Sequence, residues 1–154
     1  MATMNTAAAG SRVKTILVPV DFSAASREAL RQAIEFAKVF QASVILLHVV
    51  EPLHAGSRLE SDEFLPFHAR LVETANRELT EWANAEAKPH APTKHFVREG
   101  VPYQVIVEMA NKTGANLIML STHGHTGLRH VLLGSVAEKV VRHAHCPVMV
   151  LRQK

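Results

Sequence analysis

The sequence predicts an α/β protein with a five-stranded parallel sheet, strand order 3-2-1-4-5, and helices on both faces of the sheet. Short apolar runs alternate along the chain with segments whose apolar residues recur every three or four positions. The runs are continuously apolar, which is typical of strands that are buried on both faces. Right-handed crossovers between parallel strands then place the connecting helices over both faces.

Four of the five strands are predicted from runs rich in valine, isoleucine and leucine that are bounded by polar or turn-forming residues, and the third is predicted as a short strand, KHFVR. The first run ends in Pro19, Val20 and Asp21. The second contains His48 among apolar neighbours, which indicates a hydrogen-bonded core histidine rather than a ligand. The predicted strands are residues 13–20, 44–50, 94–98, 115–120 and 147–151.

Four helices are predicted between these strands. Ser23 can cap the first, Pro89 follows the second, and the third begins near Pro102 and ends before Gly114. The fourth follows a long glycine-containing loop. The apolar positions that define the helix faces are Leu30, Ala33, Ile34, Ala37 and Phe40; Phe67, Leu71, Ala75, Leu79 and Trp82; Val105, Ile106, Met109 and Ala110; and Val136, Val140, Val141 and Ala144.

Length and composition restrict the class of protein. The 154 residues are expected to form one domain over residues 13–154, preceded by a loose tail, residues 1–12. The apolar fraction of 47% and the charged fraction of 20% exclude a disordered chain. The apolar runs are much shorter than the roughly 18 residues that span a bilayer, so no membrane partner is expected.

Charge and cysteine content restrict the partners and the compartment. The net charge is +3, only 5% of residues are aromatic, and no run of lysine and arginine occurs, so nucleic-acid binding is not expected. The N-terminal tail lacks the basic and apolar regions of a signal peptide. Since Cys146 is the single cysteine, no internal disulfide can form, and we expect a cytoplasmic protein.

The segment from Ser121 to Glu138 is predicted to contain a glycine-punctuated loop after the fourth strand and the start of the last helix. Helix N-termini expose backbone N–H groups and a partial positive charge, so such a loop can hold a phosphate. Ser135 and Glu138 also match a capping box. Two interpretations remain at this point: the loop binds a phosphate, or Ser135 caps the helix and Gly134 only allows a tight entry.

Several familiar catalytic motifs do not occur. The loop has neither the lysine of a P-loop nor the glycine fingerprint of dinucleotide-binding folds, and the chain has no Gly-x-Ser-x-Gly elbow. Phosphoryl transfer usually needs a carboxylate on Mg²⁺ and a separate base, so at most slow ATP hydrolysis is expected. His143, His145 and Cys146 have no second ligand pair at zinc-site spacing, and no metal site is expected.

Three stretches resemble the universal stress protein family: ILVPVDFS at 16–23, VILLHVV at 44–50, and the segment 121–150. The nucleotide-binding branch of that family has the pattern Gly-x2-Gly-x9-Gly-Ser/Thr. Gly124, nine further residues, and Gly134 followed by Ser135 match it, while Ser121 replaces the first glycine. The resemblance implies a Rossmann-like fold that binds an adenine nucleotide: ATP, ADP or AMP, with or without Mg²⁺.

The resemblance also implies where each part of the nucleotide lies. Asp21 would accept hydrogen bonds from the ribose hydroxyls; alternatively, it only caps the first helix together with Ser23. Leu120 would pack on the adenine ring; alternatively, it is plain core. The remaining adenosine contacts would be Pro19, Val20 and the backbone of Val49. The phosphate contacts would be Ser121, Thr122, Gly124, Gly134, Ser135 and Val136. Further phosphate contacts would be His123, His125, Gly127 and Arg129, for which a solvated loop is the alternative.

These implications predict a nucleotide-binding universal stress protein that acts as a ligand-responsive regulator of stress survival. The alternative is a nucleotide-free dimeric interaction module. Members of the family commonly dimerise through the last strand, and residues 147–151 form an apolar edge that invites pairing with a second copy. A homodimer is therefore expected, unless Arg152, Gln153 and Lys154 block the edge and leave a monomer.

Overall fold

The structure, a computed structural model, describes residues 13–52, 64–122 and 133–152. The expected tail, residues 1–12, lies outside the described residues. Within them the second helix continues into a π-helical turn, Ala83–Ala87. The strands are β1 (Thr15–Pro19), β2 (Ser43–Val50), β3 (Thr93–Glu99), β4 (Leu117–Ser121) and β5 (Val148–Leu151). The α-helices are α1 (Ala24–Phe40), α2 (Phe64–Trp82), α3 (Pro102–Thr113) and α4 (Ser135–His143).

The strands form one parallel sheet in the order β3-β2-β1-β4-β5, which confirms the predicted fold class and topology. The central strand β1 pairs Pro19 with Leu47 of β2 and Leu17 with Ile118 of β4. Because all strands run in one direction, their carboxyl ends lie along one edge of the sheet. The order of the chain reverses between β1 and β4, where ligands of open α/β sheets bind.

The sheet separates two apolar clusters, and successive residues of β1 belong to opposite clusters. Ile16, Val18 and Val20 pack beneath α1 and α2, whereas Leu17 packs beneath α3 and α4. Ile16, Leu17 and Val18 are all fully buried. This two-sided burial is the physical reason for the continuous apolar runs in the sequence.

Two helices begin and end where local sequence signals predict. Ser23 is the N-cap of α1, and its Oγ accepts a hydrogen bond from the backbone N–H of Ser26 at 3.1 Å. Helix α3 begins at Pro102 and ends at Thr113. Its C-cap is Gly114, whose φ of 64° is left-handed and therefore suits glycine. These caps fix the ends of the helices that cover β1 and β4.

The capping box predicted for α4 was wrong. Gly134 is the N-cap and has no side chain with which to cap the helix, and Ser135 is the first helical residue. Gly134 has extended φ and ψ of −68° and 155°, and its carbonyl accepts the N–H of Glu138 at 2.9 Å. The Glu138 carboxylate instead accepts a hydrogen bond from Arg142 one turn later. The helix therefore begins one residue earlier than predicted, and the Ser135 side chain is not needed as its cap.

Helix α2 buries only part of its predicted apolar face. Ala75, Leu79 and Trp82 are 6% exposed or less, whereas Phe67 and Leu71 are 54% and 37% exposed. Among the described side chains of α2, those in the buried cluster begin beyond Leu71, so the helix around Phe67 and Leu71 extends past the core. A 3.6-residue pattern identifies the helix, but it does not show how much of the helix the sheet covers.

Leu46→Ala should lower the free energy of unfolding by about 2–5 kcal/mol, because Leu46 is fully buried between the sheet and α1 and α2. Urea denaturation at a fixed protein concentration measures the change. Val39, which is 77% exposed, provides the control. Val39→Ala should change the free energy by less than about 0.5 kcal/mol. Similar losses in the two variants would contradict the assigned core.

Candidate functional site

The carboxyl ends of β2, β1 and β4 lie side by side and bring the predicted adenosine residues to one edge. Asp21 follows β1, Val49 lies near the end of β2, and Leu120 lies near the end of β4. Helix α4 begins after the loop that follows β4. We call this meeting point the edge crevice.

Asp21 is half-buried, and its carboxylate is oriented by Ser23. The Oδ1 atom accepts hydrogen bonds from the backbone N–H of Ser23 at 3.1 Å and from its Oγ at 2.5 Å. The backbone N–H of Asp21 donates to the Oγ of Ser26 at 3.3 Å. The carboxylate thus supports the N-cap of α1, as one of the two interpretations expected, and stands at the crevice in a defined orientation.

Both polar backbone groups of Val20 bond within the protein. Its N–H donates to the carbonyl of Leu47 at 2.8 Å, and its carbonyl lies 2.8 Å from His48 Nδ1. A carbonyl only accepts hydrogen bonds, so Nδ1 carries the proton. The Val20 side chain is buried on the α1–α2 side of the sheet. His48 is half-buried and hydrogen-bonded, as its position in an apolar strand predicted.

Val49 and Leu120 are apolar and lie on the side of the sheet that α3 and α4 cover. Leu120 is 4% exposed and belongs to the cluster beneath α3 and α4. Val49 and Leu133 are half-buried and pack against the same cluster. Since side chains alternate along a strand, Pro19 is on this side as well, opposite Val20. The structure therefore brings Pro19, Val49 and Leu120 to one face.

The two ends of the glycine loop are joined by backbone hydrogen bonds. The N–H of Gly134 donates to the carbonyl of Thr122 at 2.8 Å, and the N–H of Thr122 donates to the carbonyl of Leu151 at 2.9 Å. Thr122 is only 8% exposed, and Ser121 is half-buried at the end of β4. The remaining predicted loop contacts, His123, Gly124, His125, Gly127 and Arg129, lie outside the described residues.

Helix α4 presents its N-terminus at the same edge. Its intrahelical bonds begin with Glu138, so the N–H groups of Ser135 and Val136 have no carbonyl partner within the helix. Ser135 is exposed, and Val136 is 37% exposed. The partial positive charge of a helix N-terminus favours an anion at this position.

Phe22 is a residue that the sequence did not single out. Its φ is 63°, and it separates Asp21 from the N-cap Ser23. Its ring centroid lies 4.4 Å from that of His48 and 5.4 Å from that of Trp82. No sequence signal predicts a left-handed phenylalanine, because the contacts that hold it come from β2 and α2.

The His-Ala-His-Cys segment, residues 143–146, joins the last residue of α4 to β5 and packs against the rest of the protein. The His143 ring lies 5.6 Å from the ring of Tyr103, and burial raises the pKa of the half-buried Cys146 thiol. A raised pKa keeps the sulfur protonated, which disfavours metal binding. Over the described ranges, no group of three or more His, Cys, Asp or Glu side chains is arranged to hold a metal ion.

A cleft among the described residues lies away from the edge crevice. It has a volume of about 410 Å³ and lies beside α1 and α2, where its lining includes Arg27, Trp82 and Glu86. Arg27 Nε lies 3.0 Å from Glu86 Oε1, and its guanidinium lies 4.4 Å from the Trp82 ring centre. These charges pair with one another.

Each helix within the described ranges is too short or too polar to cross a lipid bilayer.

Known proteins resemble this chain over nearly its whole length. Universal stress protein MJ0531 of Methanocaldococcus jannaschii is 37% identical over 147 residues, which cover 91% of this chain and 82% of the relative. The solved structure of hypothetical protein MJ0577 superposes with a TM-score of 0.82 at 30% identity, covering 93% of this chain and 98% of that one.

Two further solved structures share the fold. A universal stress protein in complex with cAMP has a TM-score of 0.65 at 24% identity and covers 94% of this chain and 100% of its own. A universal stress protein from Archaeoglobus fulgidus in complex with dAMP has a TM-score of 0.62 at 24% identity and covers 89% and 96%. The model of the universal stress protein family matches residues 12–152. The chain therefore belongs to the universal stress protein family.

Proposed function

We propose that this protein binds an adenine nucleotide in the edge crevice and acts as a ligand-responsive regulator. One observation carries the proposal: a carboxylate, an apolar surface and a helix N-terminus meet where the strand order reverses. These are Asp21, the Val49–Leu120 surface and the start of α4. The proposal places the nucleotide in a single domain, residues 13–154.

Each group in the crevice suits one part of a nucleotide. The Asp21 carboxylate can accept hydrogen bonds from ribose hydroxyls, and such charge-assisted bonds are strong. Val49 would present its backbone groups to the adenine, and Leu120 would pack on the adenine ring. The N–H groups of Ser135 and Val136 suit phosphate oxygens. Ser121, Thr122 and the loop residues between Thr122 and Gly134 would complete the phosphate contacts.

The complexes with cAMP and dAMP support the proposal at the level of the fold, since both ligands are adenine nucleotides. ATP, ADP and AMP all remain candidates here. The described residues near the crevice do not form a Mg²⁺ site of their own. Because Asp21 is assigned to the ribose hydroxyls, the proposed function is nucleotide binding that regulates the protein, and ATP hydrolysis is expected to be slow at most. The single cysteine fits a reducing cytoplasm.

Homodimerisation through β5 is the second part of the proposal. The two outer strands of the sheet differ in charge. Strand β3 carries Lys94 and Arg98, whereas β5 consists of Val148, Met149, Val150 and Leu151. Charged residues protect an edge strand against pairing, and an apolar edge invites it. All four residues of β5 are half-buried, which leaves apolar surface for a second copy.

Gly134→Val should weaken nucleotide binding more than tenfold, or by about 1.4 kcal/mol, because branched carbons at the start of α4 would occupy the phosphate position. The φ of −68° at Gly134 is accessible to valine, so the backbone itself is not strained. Isothermal titration calorimetry with ATP and AMP measures the affinity. Mass spectrometry of ligand released from the purified protein would identify the nucleotide.

Gly114→Val provides the matched control. Gly114 is the C-cap of α3 and has a φ of 64°. It precedes the amino end of β4, so it lies at the end of the strands away from the edge crevice. Valine there should lower the stability of the fold and leave the affinity for nucleotide unchanged. An unchanged affinity in folded Gly134→Val would reject the site. Failure of the wild-type protein to bind any adenine nucleotide would favour the nucleotide-free dimeric module.

A further inference from the structure

The backbone of Phe22 is unusual for its position. Among the described non-glycine residues, only Phe22 and Gln41 have positive φ, at 63° and 55°. Gln41 ends α1 as a left-handed C-cap, which is a common place for that conformation. Phe22 instead precedes an N-cap, where the start of a helix does not require it. A bulky residue with positive φ persists only when surrounding contacts hold it.

Two aromatic rings from other elements hold Phe22; we call His48 and Trp82 the aromatic clamp. The Phe22 ring lies tilted against His48 at 4.4 Å and edge-on to Trp82 at 5.4 Å. Both clamp residues are themselves fixed. His48 bonds to the carbonyl of Val20, and Trp82 is 6% exposed beneath the Arg27 guanidinium.

The bend at Phe22 sets the position of the neighbouring carboxylate. Asp21 Oδ1 reaches the backbone N–H and Oγ of Ser23, two residues further along the chain. Such a contact requires the intervening residue to turn the chain back. The conformation of Phe22 therefore determines where the Asp21 carboxylate lies at the carboxyl end of β1.

We propose that Phe22 is a positioning residue for ribose recognition: the aromatic clamp holds it left-handed, and this conformation orients the Asp21 carboxylate toward the ribose hydroxyls. The inference rests on the proposed nucleotide site. In this inference Phe22 does not touch the nucleotide. Its conformation is the reason that the site prefers a nucleotide with ribose hydroxyls over one without them.

The test compares the affinities for ATP and 2′,3′-dideoxy-ATP by calorimetry. Wild-type protein and the conservative variant Phe22→Tyr should prefer ATP by about tenfold or more. Phe22→Val should reduce the preference to about twofold or less, since a β-branched residue resists the left-handed conformation and lacks the ring. Loss of stability alone weakens both ligands equally and leaves their ratio unchanged.

Gln41→Val is the matched control, because it introduces the same strain at the other described non-glycine residue with positive φ, at the far end of α1. It should lower the melting temperature and keep the preference for ATP. If Phe22→Val does not fold, Phe22→Leu removes the aromatic contacts without β-branching and should also reduce the preference. Wild-type protein that binds neither nucleotide would contradict the proposed function. If the wild-type protein prefers ATP and both Phe22→Val and Phe22→Leu retain that preference, this inference alone is overturned.

Discussion

Asp21→Ala should weaken ATP binding by about 1.5–3 kcal/mol, because charge-assisted hydrogen bonds from the ribose hydroxyls are lost. This corresponds to a loss of roughly 10- to 150-fold in affinity. Dideoxy-ATP lacks those hydroxyls, so its affinity should change much less than that of ATP. Calorimetry with both nucleotides on both proteins completes a thermodynamic cycle for the carboxylate and the ribose.

The cycle separates ribose binding from helix capping. Asp21 Oδ1 also bonds to Ser23, so the alanine variant loses support for the N-cap of α1. Ser23→Ala removes the same side-chain cap and keeps the carboxylate, so its loss of thermal stability measures the contribution of the cap to the fold. Losses in Asp21→Ala that are equal for ATP and dideoxy-ATP would show that Asp21 acts only on the helix.

Val150→Lys should convert the proposed homodimer into a monomer at micromolar concentration. A two-fold axis would pair β5 antiparallel with its own copy, and the new lysines would bring like charges together at an apolar edge. Met149→Lys tests the opposite face, because Met149 packs toward α1 and α2 and Val150 toward α3 and α4. Sedimentation velocity should show wild-type protein at twice the 16.9 kDa chain mass and Val150→Lys near that mass.

Val39→Lys makes the same change on an exposed surface near the end of α1, and it should leave the dimer intact. A wild-type protein that sediments as a single chain, with or without ATP, would rule out this assembly. Dissociation of the Val39→Lys dimer would mean that added charge, rather than its location on β5, drives the effect.

Several features of the fold follow from local sequence. Continuous apolar runs identify buried parallel strands, and three- or four-residue spacing identifies helices, because both patterns reflect which sides of an element are buried. Pro102 and Gly114 bound α3 through their own backbone preferences. The meeting of Asp21 and the β4 end follows from strand direction and strand order.

Other features depend on contacts between residues distant in sequence. Helix α4 begins at Ser135 because backbone groups of Gly134 bond to Thr122 and Glu138, whereas the local Ser-x-x-Glu pattern predicted a different cap. The exposure of Phe67 on α2 reflects where the core ends, which spacing along one helix does not encode.

The sequence by itself determined the element order, the parallel sheet and the edge at which the candidate site lies, since these depend on local periodicity and the handedness of crossovers. The tertiary structure alone decided the atomic form of the site. Phe22 is left-handed because His48 of β2 and Trp82 of α2 hold its ring, and Asp21 is oriented as a result. Packing across three separate elements sets that geometry, and no local pattern in the chain specifies it.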